Sequence, residues 1–104
     1  MTVLSVYCVF ADAAEAERIG RQVVEERLAA CINFLAPCRS FYWWDGKVED
    51  AAEVPAILKT SAEAADRLVT RLAELHSYEV PCITVQPVDC LLASYGDWVE
   101  NSTG

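Results

Sequence analysis

Four consecutive aromatic residues, Phe41-Tyr42-Trp43-Trp44, run into Asp45-Gly46 and return through Lys47-Val48-Glu49. Asp-Gly is the dipeptide of a two-residue type I′ turn, so this segment specifies an antiparallel hairpin. Side chains alternate along a strand, which sets Phe41 and Trp43 on one face and Tyr42 and Trp44 on the other. An antiparallel ribbon ordinarily keeps one face wet. Large rings on both faces call for two apolar covers, and the core of one small domain provides one. The second cover is expected from another subunit; a strand buried inside a single sandwich is the alternative.

The remaining pattern places the hairpin within a fold. Residues 2–10 alternate and are rich in β-formers, which reads as a first strand. Asp12 to Glu15 reads as a helix cap, followed by an apolar face of Ala16, Ile19, Gly20, Val23, Val24 and Leu28, with the helix ending near Ala29-Ala30. A second strand is expected from about Cys31, interrupted at Pro37, and its hairpin partner from Lys47 through Val54 to Thr60. Pro55 lacks an N–H and predicts a bulge or an edge position there. Thr60-Ser61-Ala62-Glu63 reads as a capping box before a helix with the stripe Ala65, Leu68, Val69, Leu72 and Leu75. Cys82–Val88 reads as a further strand, and Ala93–Ser102 as a last helix carrying Tyr95, Trp98 and Val99.

This order, β-α-β-β-α-β plus a helix, predicts an α+β, ferredoxin-like domain over residues 1–104: four antiparallel strands with two helices on one face. The uncovered sheet face, apolar on both parities in three strands, is expected to pack on other subunits. A chain of 104 residues that is 54% hydrophobic leans the same way. Eight basic against sixteen acidic residues give a net charge of -8, which repels nucleic-acid phosphates and anionic lipid but suits a small cation. The opening residues lack the basic and small-residue regions of a signal peptide, and no apolar run reaches membrane-spanning length. Five cysteines, an odd count without paired spacing, are expected to be reduced thiols in the cytoplasm.

Within that frame Glu26-Arg27-Leu28-Ala29-Ala30-Cys31-Ile32-Asn33 resembles the corresponding stretch of CutA proteins. Ser40, Tyr42, Trp44, Gly46, Lys47, Val48 and Glu53 resemble that family's hairpin pattern. Lys59-Thr60, Leu75-His76-Ser77-Tyr78-Glu79-Val80-Pro81, Tyr95 and Trp98 follow in its order and spacing. The resemblance covers nearly the whole chain. It implies a tight homotrimer with intersubunit sheets built from the hairpins, and a cytoplasmic role in divalent-cation tolerance, copper included; some animal members are associated with acetylcholinesterase anchoring. It also implies kinship in fold with the PII signalling proteins, whose ligands sit in intersubunit clefts. Ser77 stands where the family usually has Pro, and Leu75 where some bacterial members have a second His, so a metal site at this turn differs from theirs.

His76, the single histidine, closes the second predicted helix, and Cys8 lies near the end of the first strand on the same edge of the sheet. A thiolate with an imidazole suits copper or zinc, a helix C-terminus favours a cation, and Glu79 is a third donor within reach of that turn. Both residues match copper ligands proposed for some CutA proteins. The plain alternative is a buried Cys8 and a capping His76. His76 activating Cys8 or Cys82 as a nucleophile is disfavoured, because an acidic protein raises a thiol pKa and no oxyanion loop follows; no enzyme is expected. Lys47 and Glu53 are read as cross-strand neighbours near the hairpin tip. Tyr42, Trp44, Lys47, Glu53, Lys59, Tyr78 and Glu79 are grouped around a possible intersubunit cleft for a small ligand or partner, the PII-like alternative. Other ferredoxin-like functions fail on missing residues. Cys8-Val9-Phe10-Ala11 lacks the Cys-x-x-Cys of a copper chaperone, Asp12-Ala13-Ala14 repels phosphate, and the charge is wrong for RNA.

Overall fold

A computed structural model describes residues 2–104. The elements in chain order are β1 (Val3–Phe10), α1 (Ala13–Glu25), β2 (Cys31–Phe34), β3 (Cys38–Trp44), β4 (Lys47–Ser61), α2 (Ala65–Leu75), β5 (Ile83–Val88) and α3 (Ala93–Ser102). The sheet runs β2-β4-β1-β5, with β3 pairing β4 beyond the end of β2. All pairings are antiparallel. The second strand of the expected fold is thus split into β2 and β3, and β4 spans both, which gives the ferredoxin-like order.

Val6, Cys8 and Phe10 of β1 join Val54, Ala56 and Leu58 of β4 on one face, against Ala16, Ile19 and Val23 of α1 and Leu68 and Leu72 of α2. Burial of this apolar surface, at about 25 cal/mol per Å2, is what holds the two helices to the sheet. Val3 has the opposite parity to Val6, so its cluster with Ala30 and Val99 lies on the far face, where α3 covers one end of the sheet. Most of the remaining far face carries no helix. The hairpin extends beyond the layered body, and the molecule measures 45 × 25 × 22 Å.

Three local expectations change. Asp12 does cap α1, its Oδ1 accepting from the Glu15 N–H at 2.8 Å, but the helix stops at Glu25 instead of near Ala30. Arg27 turns the chain with φ +63, and the Arg27 N–H donates to Val24 O. The second capping box is displaced. Thr60 is still in β4 and donates its hydroxyl to Leu28 O at 2.6 Å, while Ser61 Oγ accepts from the Ala64 N–H at 3.3 Å. Pro55 is neither in a bulge nor on an edge strand. Its carbonyl accepts from the Leu35 N–H, so its missing N–H points at the gap between β2 and β3, where no ladder bond is required. At the hairpin tip Asp45 and Gly46 both take positive φ, +51 and +78, as a type I′ turn demands.

Candidate functional site: a cleft beneath the aromatic hairpin

The loop that follows α2, residues 76–82, folds back beside β1 and β3 and is anchored by His76. Its ring is fully buried, stacks on Phe10 with centroids 5.4 Å apart, and lies 4.9 Å from the Tyr78 ring. Nδ1 accepts the Tyr78 N–H at 3.0 Å, and this leaves Nε2 to donate to Val9 O at 2.7 Å. The imidazole therefore ties the loop to the end of β1 through both nitrogens. Glu15 Oε1 is buried without a hydrogen-bond partner among the described residues and sits 3.5 Å from Nδ1.

Cys8, one strand position before Val9 and of the opposite parity, lies in the helix-covered core with no solvent exposure. Burial, with Cys82 and Glu15 adding repulsion, pushes its thiol up from the usual 9.0 to about 12. The fold does bring the Cys8 and His76 segments to one end of the sheet. As packed, the thiol is fully buried and both imidazole nitrogens are committed to protein partners. Among the described residues no cluster of three or more His, Cys, Asp or Glu side chains is placed to hold one.

The anchored loop forms one wall of a cavity of about 830 Å3 lined by residues of β1, β3, β4 and the loop. Of the expected cleft residues, Tyr42, Trp44, Glu53, Tyr78 and Glu79 line it. Lys47 and Lys59 do not. Lys47 and Glu53 share β4 instead of facing each other across the hairpin. Lys47 lies at the tip, 3.7 Å from Glu49, and Glu53 pairs with Cys38 at the hairpin base. Lys59 sits between Ser5 and Cys31 on the bare sheet face.

Glu53 is only 6% exposed, and its Oε2 accepts the Tyr78 hydroxyl at 2.8 Å. No described residue bonds its Oε1. Burial, then the Glu53 carboxylate, hold the Tyr78 phenol well above its ordinary range. Tyr7 is raised too, by burial first and then by Cys38, Cys82 and Glu53. Sequence reading missed Tyr7, Val9 and the exposed Cys82 as cleft residues. Strand parity carried the signal: Tyr7 and Val9 alternate with the core residues Val6, Cys8 and Phe10, and so face the uncovered side.

Fold and cleft define the class: a ferredoxin-like α+β protein with an extended aromatic hairpin and a C-terminal helix crossing the second sheet face. Residues 4–102 match the CutA1 divalent ion tolerance protein family, and the chain belongs to it. The divalent-cation tolerance protein CutA of Pyrococcus horikoshii is 42% identical over 101 residues, covering 97% of this chain and 98% of that protein. The crystal structure of CutA1 from Oryza sativa superposes with a TM-score of 0.95 at 32% identity, covering all of this chain and 95% of the other. A structure described as the periplasmic divalent cation tolerance protein CutA of Archaeoglobus fulgidus gives a TM-score of 0.91 at 36% identity, covering 96% and 97%.

Proposed function

We propose that this chain is a homotrimeric, non-catalytic protein of divalent-cation tolerance that binds copper in the cytoplasm. Membership of the CutA1 family carries the reading. The trimer is supported by the hairpin: Phe41 and Trp43 are 66% and 75% exposed on one face, and Trp44 is 44% exposed on the other. Rings so exposed on both faces of a ribbon call for a partner surface. All five cysteines are free thiols, which favours a reducing compartment over the periplasm named for the Archaeoglobus relative.

Thiolate is the donor copper prefers, and Cys82 and Cys90 are the exposed thiols. Cys82 is the better placed, because it opens on the cavity, where donors from neighbouring subunits would have to complete a site that no three side chains of one chain form among the described residues. Cys8 and His76 would first have to give up the packing that anchors the 76–82 loop. Native mass spectrometry of the metal-free protein, titrated with copper, tests the proposal. A trimer that takes up three ions saturably, and loses them in Cys82→Ser, supports it. Loss in His76→Ala or Cys8→Ser, with Cys82→Ser unaffected, moves the site into the protein interior. Graded, unsaturable uptake removes the copper function, and a monomer removes the trimer.

A second reading, a PII-like module whose clefts hold a small ligand, is favoured by one observation: the 830 Å3 cavity is already formed within a single chain.

A further inference from the structure

The cavity wall has an uneven chemistry. The aromatic residues Tyr7, Tyr42, Trp44 and Tyr78 line it, as does Trp43 from the opposite strand parity, together with the carboxylates Glu53 and Glu79. No lysine or arginine is among its lining residues. The nearest hairpin cations are committed elsewhere: Arg39 makes a two-point pair with Asp50 and lies 4.8 Å over the Phe41 ring, and Lys47 faces Glu49. Arg39 and Phe41 also have the opposite strand parity to Tyr42 and Trp44.

Glu53 is the informative residue. A carboxylate this buried is ordinarily paired with a cation or fully hydrogen-bonded. Here Oε2 holds one phenol, no cation pairs with the carboxylate among the described residues, and Oε1 stays open to solvent in a residue that lines an aromatic cavity. The net charge of -8 adds a field of the same sign. Aromatic faces present the negative side of their quadrupole, so rings and carboxylates select the same guest. A nucleotide or any other phosphate is disfavoured in such a site.

We propose that this cleft binds a small organic cation, an alkylammonium group seated against the aromatic rings with its charge compensated by Glu53. The proposal rests on the cleft reading above and names the chemical class of its ligand. Trp43 and Trp44 in the wall supply the readout.

The assembled full-length protein is titrated with choline chloride at fixed ionic strength, following tryptophan fluorescence and calorimetric heat. Its neutral isostere 3,3-dimethylbutan-1-ol and inorganic phosphate are run in parallel. Saturable binding of the cation is expected, weaker by about tenfold or more for the neutral isostere. Glu53→Gln, which keeps an acceptor for Tyr78, and Tyr42→Leu, at a half-exposed position, are each expected to weaken cation binding by about tenfold with the native mass unchanged. Equal binding of cation and isostere, or binding of phosphate alone, overturns the cation assignment and leaves the cleft standing. Absence of saturable binding by all three, with slow hydrogen exchange at 76–82 and 42–44, means that a second copy fills the cleft; both readings then fall.

Discussion

Cys8 and Val9 show how one strand position changes the surroundings of a side chain. Cys8 points into the helix-covered core, and burial moves its thiol from 9.0 to about 12. The folded state therefore keeps a proton that the unfolded chain releases above about pH 9. Below that pH the residue adds no pH dependence. From about pH 9 to about pH 12 the unfolded chain holds fewer protons than the native one, so stability falls as pH rises. Denaturant melts across that window are expected to show a decline that Cys8→Ala flattens. An equal decline in the variant would assign the alkaline loss to other groups. Neighbouring Val9 has the other parity, and it lends its side chain to the cleft while its carbonyl holds His76.

At the scale of elements, the approach of α1 to β2 is set by Gly20. A Cβ there would lie 2.8 Å from Ile32 Cδ1 and 3.0 Å from Phe34 Cζ. Both atoms are side-chain ends, and Phe34 is partly exposed, so both can shift. Gly20→Ala also gains about 1 kcal/mol of helix propensity. It is expected to stay within about 1 kcal/mol of the parent protein, whereas Gly20→Leu forces the helix off the strand at a cost of about 1–3 kcal/mol or more. Urea melts of the two variants measure both, and a harmless leucine would show that α1 has slack against β2. The hairpin was legible for a local reason, since Asp45-Gly46 and the four rings act through nearest neighbours. The end of α1 was not, because Arg27 adopts the left-handed conformation without a glycine to announce it. Its guanidinium bonds Asn101 O and its carbonyl accepts from the Gly104 N–H, both contacts with the far end of the chain.

At the scale of the whole molecule, two helices cover one face of the sheet, α3 covers one end of the other, and the hairpin projects beyond both. Phe41 and Trp43 hold no core position in the isolated chain, so replacing both by serine is expected to leave the fold intact and dissociate the proposed trimer. Circular dichroism with sedimentation velocity checks this; a trimer that survives the double change would place the subunit contacts elsewhere. Alternating and helical hydrophobic patterns and the turn dipeptide by themselves determined the element order, the ferredoxin-like class and the exposed aromatic ribbon, because each acts over a few residues of chain. Tertiary structure alone decided which groups meet. It set Glu53 under Tyr78 instead of beside Lys47, and it committed both nitrogens of His76 to backbone. It also gave Pro55 a harmless place opposite the gap between β2 and β3. Those outcomes depend on register and on packing between distant segments, which local patterns do not encode.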